Sequence, residues 1–379
     1  MSTRLPFLNF RFIRNVVLKA LVLLLAINLA FAALDPTAWL GRFSLYNHVF
    51  PGRLRLPYGD RPELAYNISL FSLDAMFASH EIAAPKPANE YRVILVGDSA
   101  AWGYLLKPDE TLSAYLNAAR LRSPDGRQVH VYNLSYPTLS LTKDLLILRE
   151  AMRYHPDLVI WSVTLESFPR DKQLASPILQ HNPTAVRSLI ADYGLLLDAN
   201  DPAFVEPSFL GKSVIGQRRA LADILRLQLY GVMWAATGVD QYYPDAYNPP
   251  QRDLADDQTF HGMQPPVFQP GDLAFDVLKA GSSIAGSVPV LFINEPIYLS
   301  DGQNSDIRYN FFYPRWAYDQ YRQLFDDQCR ESGWGCLDLW DLVQPGEFTN
   351  SAIHMNPTGE GQLAQKVIES LKLYYGIQP

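Results

Sequence analysis

Two residues far apart in the chain have side chains that could together activate an alcohol. Ser99 follows the run Val93-Ile94-Leu95-Val96-Gly97-Asp98, and His354 stands in Ser351-Ala352-Ile353-His354-Met355-Asn356-Pro357. A serine hydroxyl is a weak nucleophile until a base takes its proton, and neutral imidazole is the usual base near neutral pH. A serine at the carboxyl end of a buried strand stands where open α/β sheets present ligands. Gly97 permits a tight turn there, and the helix start after it offers amide donors to a developing oxyanion. Gly-Asp-Ser alone is a common tripeptide, and a lone histidine ahead of a helix is more often a cap or a surface residue. It is the pairing of the two contexts that carries information.

The elements that must position this pair are readable from periodicity. Tyr91–Val96, Gln128–Leu134, Asp157–Val163 and Val288–Asn294 are short apolar runs that read as strands, with Leu337–Trp340 as a last short one. Thr111–Arg120 and Tyr313–Cys329 are expected to be helical. So is Leu141–Tyr154, with Leu145, Leu148 and Met152 at helical spacing and a stop before His155-Pro156. The last helix is expected from Asn356, a good N-cap followed by proline, with Leu363, Val367, Ile368 and Leu371 on one face. Strand alternating with helix predicts an α/β domain with a parallel sheet.

With Ser99 in an early Gly-Asp-Ser after a strand and His354 ahead of a C-terminal helix, the chain resembles the SGNH/GDSL hydrolase superfamily over about residues 91–170 and 286–379. The resemblance implies a three-layer, flavodoxin-like fold and serine acyl-ester chemistry, with Ser99 as nucleophile and His354 as base. Extracytoplasmic, membrane-anchored members include proteins that esterify or de-esterify envelope polymers, so an acyl-ester or glycan substrate is implied. The chain departs from the family pattern at three places. Ser351 stands where the family has its acid, with Asn350 one residue earlier; a hydrogen bond from either, or Glu347 reaching in, is left to orient the imidazole. Thr138 stands where the second motif has glycine, its backbone amide the oxyanion candidate, while Asn133 reads as a strand-end hydrogen-bonding residue. Glu166 replaces the oxyanion asparagine; it either orients His354 or caps the helix after Phe168. These departures support a second reading, a non-catalytic envelope assembly or binding protein on the hydrolase scaffold.

The ends and the middle of the chain add context. Arg4, Arg11, Arg14 and Lys19 precede the apolar run Ala20–Leu34, so the remainder is expected outside a cytoplasmic membrane, held by a single span. Ala30-Phe31-Ala32 also fits a signal-peptide cleavage site; the uncleaved anchor over residues 1–34 is the reading adopted. Residues 35–90 form a connector, and the domain over 91–379 is interrupted by an insertion at about 171–285. That insertion holds an amphipathic stretch, Lys212–Trp234, suited to docking a membrane or a partner subunit. Asn294-Glu295-Pro296 follows a strand and reads as a substrate-binding stretch at the same edge or, more commonly, a turn with a solvated glutamate, and Arg308, Tyr309, Phe311, Phe312, Tyr313, Arg315 and Trp316 read as a packing segment or a glycan-contacting wall. Cys329 and Cys336 are either a local disulfide or two reduced thiols. A net charge of −7 without a basic stripe argues against nucleic acid. No phosphate loop, dinucleotide fingerprint or metal motif is present, so neither a cofactor nor a metal is expected.

Overall fold

The computed structural model describes residues 10–43, 52–58, 72–237 and 243–379. Arg4, residues 44–51 and 59–71 of the connector, and residues 238–242 of the insertion lie outside the described residues. Five parallel strands form one sheet: β1 (Glu90–Val96), β2 (Gln128–Asn133), β3 (Leu158–Val163), β4 (Val290–Asn294) and β5 (Gly335–Asp338). Their order is β2-β1-β3-β4-β5. This is the flavodoxin-like order, with a switch point between β1 and β3 and therefore a crevice outside the carboxyl ends of those two strands.

The described helices of seven residues or more are α1 (Phe10–Leu34), α2 (Leu112–Ala118), α3 (Leu141–Ala151), α4 (Pro183–Tyr193), α5 (Arg218–Thr237), α6 (Phe275–Ala285), α7 (Arg315–Ser332) and α8 (Pro357–Tyr375). Side chains alternate across each strand, so every strand must be covered on both faces. Val93, Leu95, Val131, Ile160 and Ile293 pack with Leu112 and Leu116 of α2 and Leu363 and Val367 of α8. On the opposite face Ile94, Val96, Trp161 and Phe292 pack with α3, α6 and α7 through residues such as Leu145, Leu278 and Tyr321. The result is three layers.

The expected elements recur with shifted ends. β5 starts at Gly335 rather than Leu337, because its register with β4 begins opposite Leu291. Before α5 the chain makes a 3-10 turn at Leu210–Lys212, so that helix starts at Arg218. A larger difference concerns α6, which falls within the span read as insertion yet is the crossover helix between β3 and β4. Gly281 disguises it: glycine lowers helix propensity, but a Cβ here would stand 2.1 Å from Trp161 Cζ3, so only glycine lets α6 approach the sheet. Cys329 at the end of α7 and Cys336 in β5 form a disulfide with a Cα separation of 6.2 Å.

α1 has 25 residues and is long and apolar enough to cross a bilayer. It touches the insertion: Asn28 Oδ1 accepts from the Ile215 N–H at 3.1 Å, and Lys212 pairs with Asp35 at 2.8 Å. An apolar cleft of about 590 Å³ lies between Leu21, Leu25 and Leu29 of α1 and Phe209, Leu210 and Ile215. From the connector, buried Arg55 donates to the carbonyls of Gly103 (2.8 Å) and Leu106 (3.1 Å), gripping the chain just beyond Ser99.

Candidate active site

Ser99 opens a short helix, Ser99–Trp102, directly after β1, at the switch point of the sheet. Asp98 caps it, its Oδ1 accepting from the Ala100 N–H at 2.8 Å. Gly97 is required by space: a Cβ would lie 2.8 Å from Ala101 Cβ and 3.1 Å from the Ser162 carbonyl oxygen. The amide of Ser99 lies in the first turn of this helix, where backbone N–H groups have no intrahelical acceptor and can serve a developing oxyanion.

His354 lies in a loop closed by an antiparallel bridge between Phe348 and Met355, and its carbonyl accepts from the Thr349 N–H at 2.8 Å. Its Nε2 stands 2.8 Å from Ser99 Oγ, and its Nδ1 stands 2.9 Å from Asn350 Oδ1. With the amide oxygen as acceptor, Nδ1 carries the proton and Nε2 is left to accept from the serine hydroxyl. The Tyr104 ring packs on the imidazole at 5.1 Å between centroids. Burial pushes the His354 pKa down to about 4, so the ring is neutral at neutral pH.

The other expected site residues are arranged differently. Ser351 is buried in the same loop, and the orienting position is held by Asn350, one residue before the place of the family's acid. Glu347 accepts from Asn356 Nδ2 at 2.8 Å, at the head of α8. The Thr138 N–H donates to the Tyr136 carbonyl at 2.7 Å, so it is engaged within its own turn instead of facing an oxyanion; its hydroxyl meets Ser176 Oγ at 2.9 Å. Glu166 does not orient His354, whose ring nitrogens meet Ser99 and Asn350. Its carboxylate bonds Lys172 and, at 2.9 Å, His261 Nε2 from the insertion. Two carboxylates flank that second histidine, since Asp171 Oδ2 lies 3.3 Å from its Nδ1, and the Glu166 bond holds the imidazole above the ordinary histidine range.

Asn133 bonds the Ala101 carbonyl at 2.9 Å and the Ser135 amide, as a strand-end residue should. Arg308 and Arg315 spend their guanidinium groups on backbone carbonyls, and Tyr309 and Tyr313 are buried, so the aromatic segment packs rather than forming an open wall.

Two residues under the site, Lys143 and Asp144, were not singled out from the sequence. Lys143 of α3 is fully buried and donates to the carbonyls of Gly97 (2.7 Å) and Tyr136 (2.8 Å), and it pairs with Asp144. Burial pushes Asp144 up to about 6 against that pull. A signal existed in Lys143-Asp144 placed early in an otherwise apolar helical stripe. Glu295, expected as a solvated turn residue, is 1% exposed and accepts from Ser162 Oγ at 3.0 Å.

A three-layer α/β fold with a serine–histidine pair at the switch point defines the structural class. No family model matches the chain, and no curated protein matches it. Among solved structures it is similar to Est24, a carbohydrate acetylesterase from Sinorhizobium meliloti, at 12% identity and a TM-score of 0.35, over 74% of this chain and 98% of that one. It is similar to the native aryl esterase of M. smegmatis, at 12% identity and 0.35, over 74% and 98%. TesA matches at 11% identity and 0.34, again over 74% and 98%. Similarity of this degree carries no functional weight, and the geometry around Ser99 stands on its own.

Proposed function

We propose that this protein is a serine acyl-ester hydrolase or O-acyltransferase, held by α1 on the outer face of a cytoplasmic membrane and acting on an acylated envelope polysaccharide or a similar polymer. The observation that carries this reading is the 2.8 Å contact of Ser99 Oγ with a histidine nitrogen whose partner nitrogen is already oriented. In this reading Ser99 Oγ attacks the ester carbonyl while His354 Nε2 takes its proton. The Ser99 amide donates to the oxyanion, and His354 returns the proton to the departing alkoxide, leaving an acyl-serine. Water as second acceptor regenerates the serine and releases an acid; a sugar hydroxyl gives a new ester. Asn350 supplies orientation without charge, so the imidazolium formed in the first step is less stabilised than beside a carboxylate. Arg11, Arg14 and Lys19 at the start of α1 stay on the cytoplasmic side.

The test is labelling of the full chain with a fluorophosphonate, together with hydrolysis of a small aryl acetate. Wild-type protein is expected to react at Ser99 and Ser99→Ala to be inert with its fold intact; equal turnover by the two proteins refutes the assignment.

A second reading, a glycan-binding or assembly module on the same scaffold, is favoured by the engagement of the Thr138 amide and of Glu166. Wild-type chain that binds acylated glycan while refusing the fluorophosphonate would select it.

A further inference from the structure

We infer that Glu295 and Asp98 share one proton as a buried carboxylic acid–carboxylate pair, with Glu295 as the acid, and that this pair holds the Ser99 turn in place. The inference deepens the reading above and takes its meaning for catalysis from it. Glu295 is then a positioning residue, acting through Asp98 on the nucleophile.

Three neighbouring strand ends converge here: Asp98 follows β1, Ser162 lies in β3 and Glu295 follows β4. Both carboxyl groups are 1% exposed. Each has one oxygen accounted for, Asp98 Oδ1 by the Ala100 N–H at 2.8 Å and Glu295 Oε2 by the Ser162 hydroxyl at 3.0 Å. The Glu295 backbone is pinned as well, its N–H donating to the Val163 carbonyl at 3.0 Å. The remaining oxygens, Asp98 Oδ2 and Glu295 Oε1, are buried with no hydrogen-bond partner among the described residues, and the two carboxyl groups are electrostatic neighbours at the ends of β1 and β4. Two ionised carboxylates side by side in a dry interior repel, and both remaining oxygens would go without a donor. A single proton between them removes both costs and creates a charge-assisted O–H···O bond.

The surrounding groups decide which residue keeps the proton. On the Asp98 side lie the Lys143 ammonium of α3, the Ala100 amide and the Ser167 hydroxyl, all of which favour a charged carboxylate. Asp144, next to Lys143, is the remaining acid on that side. Glu295 faces the Asp98 carboxylate, which disfavours a second charge; Glu360 of α8, its own pKa pushed up to about 8 by burial, lies on that side too, and the Ser162 hydroxyl stabilises Glu295. Tyr313, ahead of α7, and Tyr318 and Tyr321 of α7 are buried nearby and neutral. Burial raises both acids, Glu295 well above the carboxylate range, while Lys143 draws Asp98 back. The bonds therefore run from the Ala100 amide through Asp98 and Glu295 to Ser162, and tie the turn carrying Ser99 to β3 and β4.

The experiment compares full-length wild type, Glu295→Gln and Glu295→Ala in detergent at neutral pH. Infrared difference spectra of wild type minus Glu295→Gln are expected to show loss of a carbonyl band of a protonated acid; loss of an ionised carboxylate band instead overturns the proposal. Fluorophosphonate labelling of Ser99 is expected to fall at least about tenfold in Glu295→Ala and to be rescued to within about threefold in Glu295→Gln, whose amide can donate to Asp98. Equal losses in both variants overturn the positioning role. Should Glu295→Ala fail to fold, the rescue in Glu295→Gln and its spectrum decide the matter. Should wild type not label at all, the enzyme reading fails while the infrared difference still tests the shared proton.

Discussion

Asn350 Oδ1 stands 2.9 Å from His354 Nδ1, so an uncharged amide occupies the seat that a carboxylate holds in a charged triad. Burial alone then sets the imidazole, and its pKa falls to about 4. Asn350→Asp is expected to raise that pKa toward the ordinary histidine range and to speed Ser99 labelling by about tenfold at neutral pH. The sign for pH follows. Wild-type labelling falls as pH drops through about 4, where His354 gains a proton and stops being a base, and the aspartate variant loses activity at higher pH than that. A rate profile of both proteins checks this; superimposable acid limbs would remove Asn350 from the orienting role.

The Lys143 ammonium is buried against two carbonyls and Asp144. Lys143→Met leaves a buried aspartate without its cation, for an expected loss of about 3–5 kcal/mol in urea unfolding. Replacing both residues, Lys143→Met with Asp144→Leu, is expected to recover part of that loss, since Asp144 no longer stands without its cation while Asp98 still does. A double variant as unstable as the single one would contradict the pairing.

Glu360 is buried in the first turn of α8, with Oε2 unpartnered among the described residues, and burial raises its pKa to about 8. The folded state thus holds this proton more tightly than the unfolded one. Its contribution to stability is present at low pH and is lost as pH rises from the ordinary glutamate range through about 8. Glu360→Gln should flatten this slope and melt about 2 °C or more above wild type at alkaline pH, with little difference in mild acid. Melting curves at the two pH values are the measurement.

Gly281→Ala in α6 gains helix propensity but drives a methyl into Trp161. Overpacking is expected to win, costing about 1–3 kcal/mol. An equally stable or stabilised variant would show that α6 can back away from β3.

The Ser99 turn and the position of His354 were legible in the sequence because each is announced locally. An apolar run leads into Gly97-Asp98-Ser99, and Asn356-Pro357 marks a helix start just after His354. What stayed hidden depends on partners distant in the chain. Glu295 beside Pro296 has the look of a surface turn, and its burial follows only from Asp98 and Ser162, the latter 133 positions away. Glu166 could not be assigned without His261, which the insertion returns from 95 positions downstream. The Thr138 amide is lost to a bond with Tyr136 that no residue type announces. The crossover helix α6 was concealed by a glycine that only the bulk of Trp161 explains.

The junction between α1 and the insertion has a practical consequence. Phe209, Leu210 and Ile215 are 52%, 74% and 57% exposed even with α1 beside them. A chain shortened to begin at Asp35 would lose the Leu21, Leu25 and Leu29 wall of the cleft and the Asn28 bond to Ile215, but would keep this greasy ledge. Such a product should stick to itself in plain buffer, and trimming the ledge along with the helix is the route to a well-behaved soluble domain.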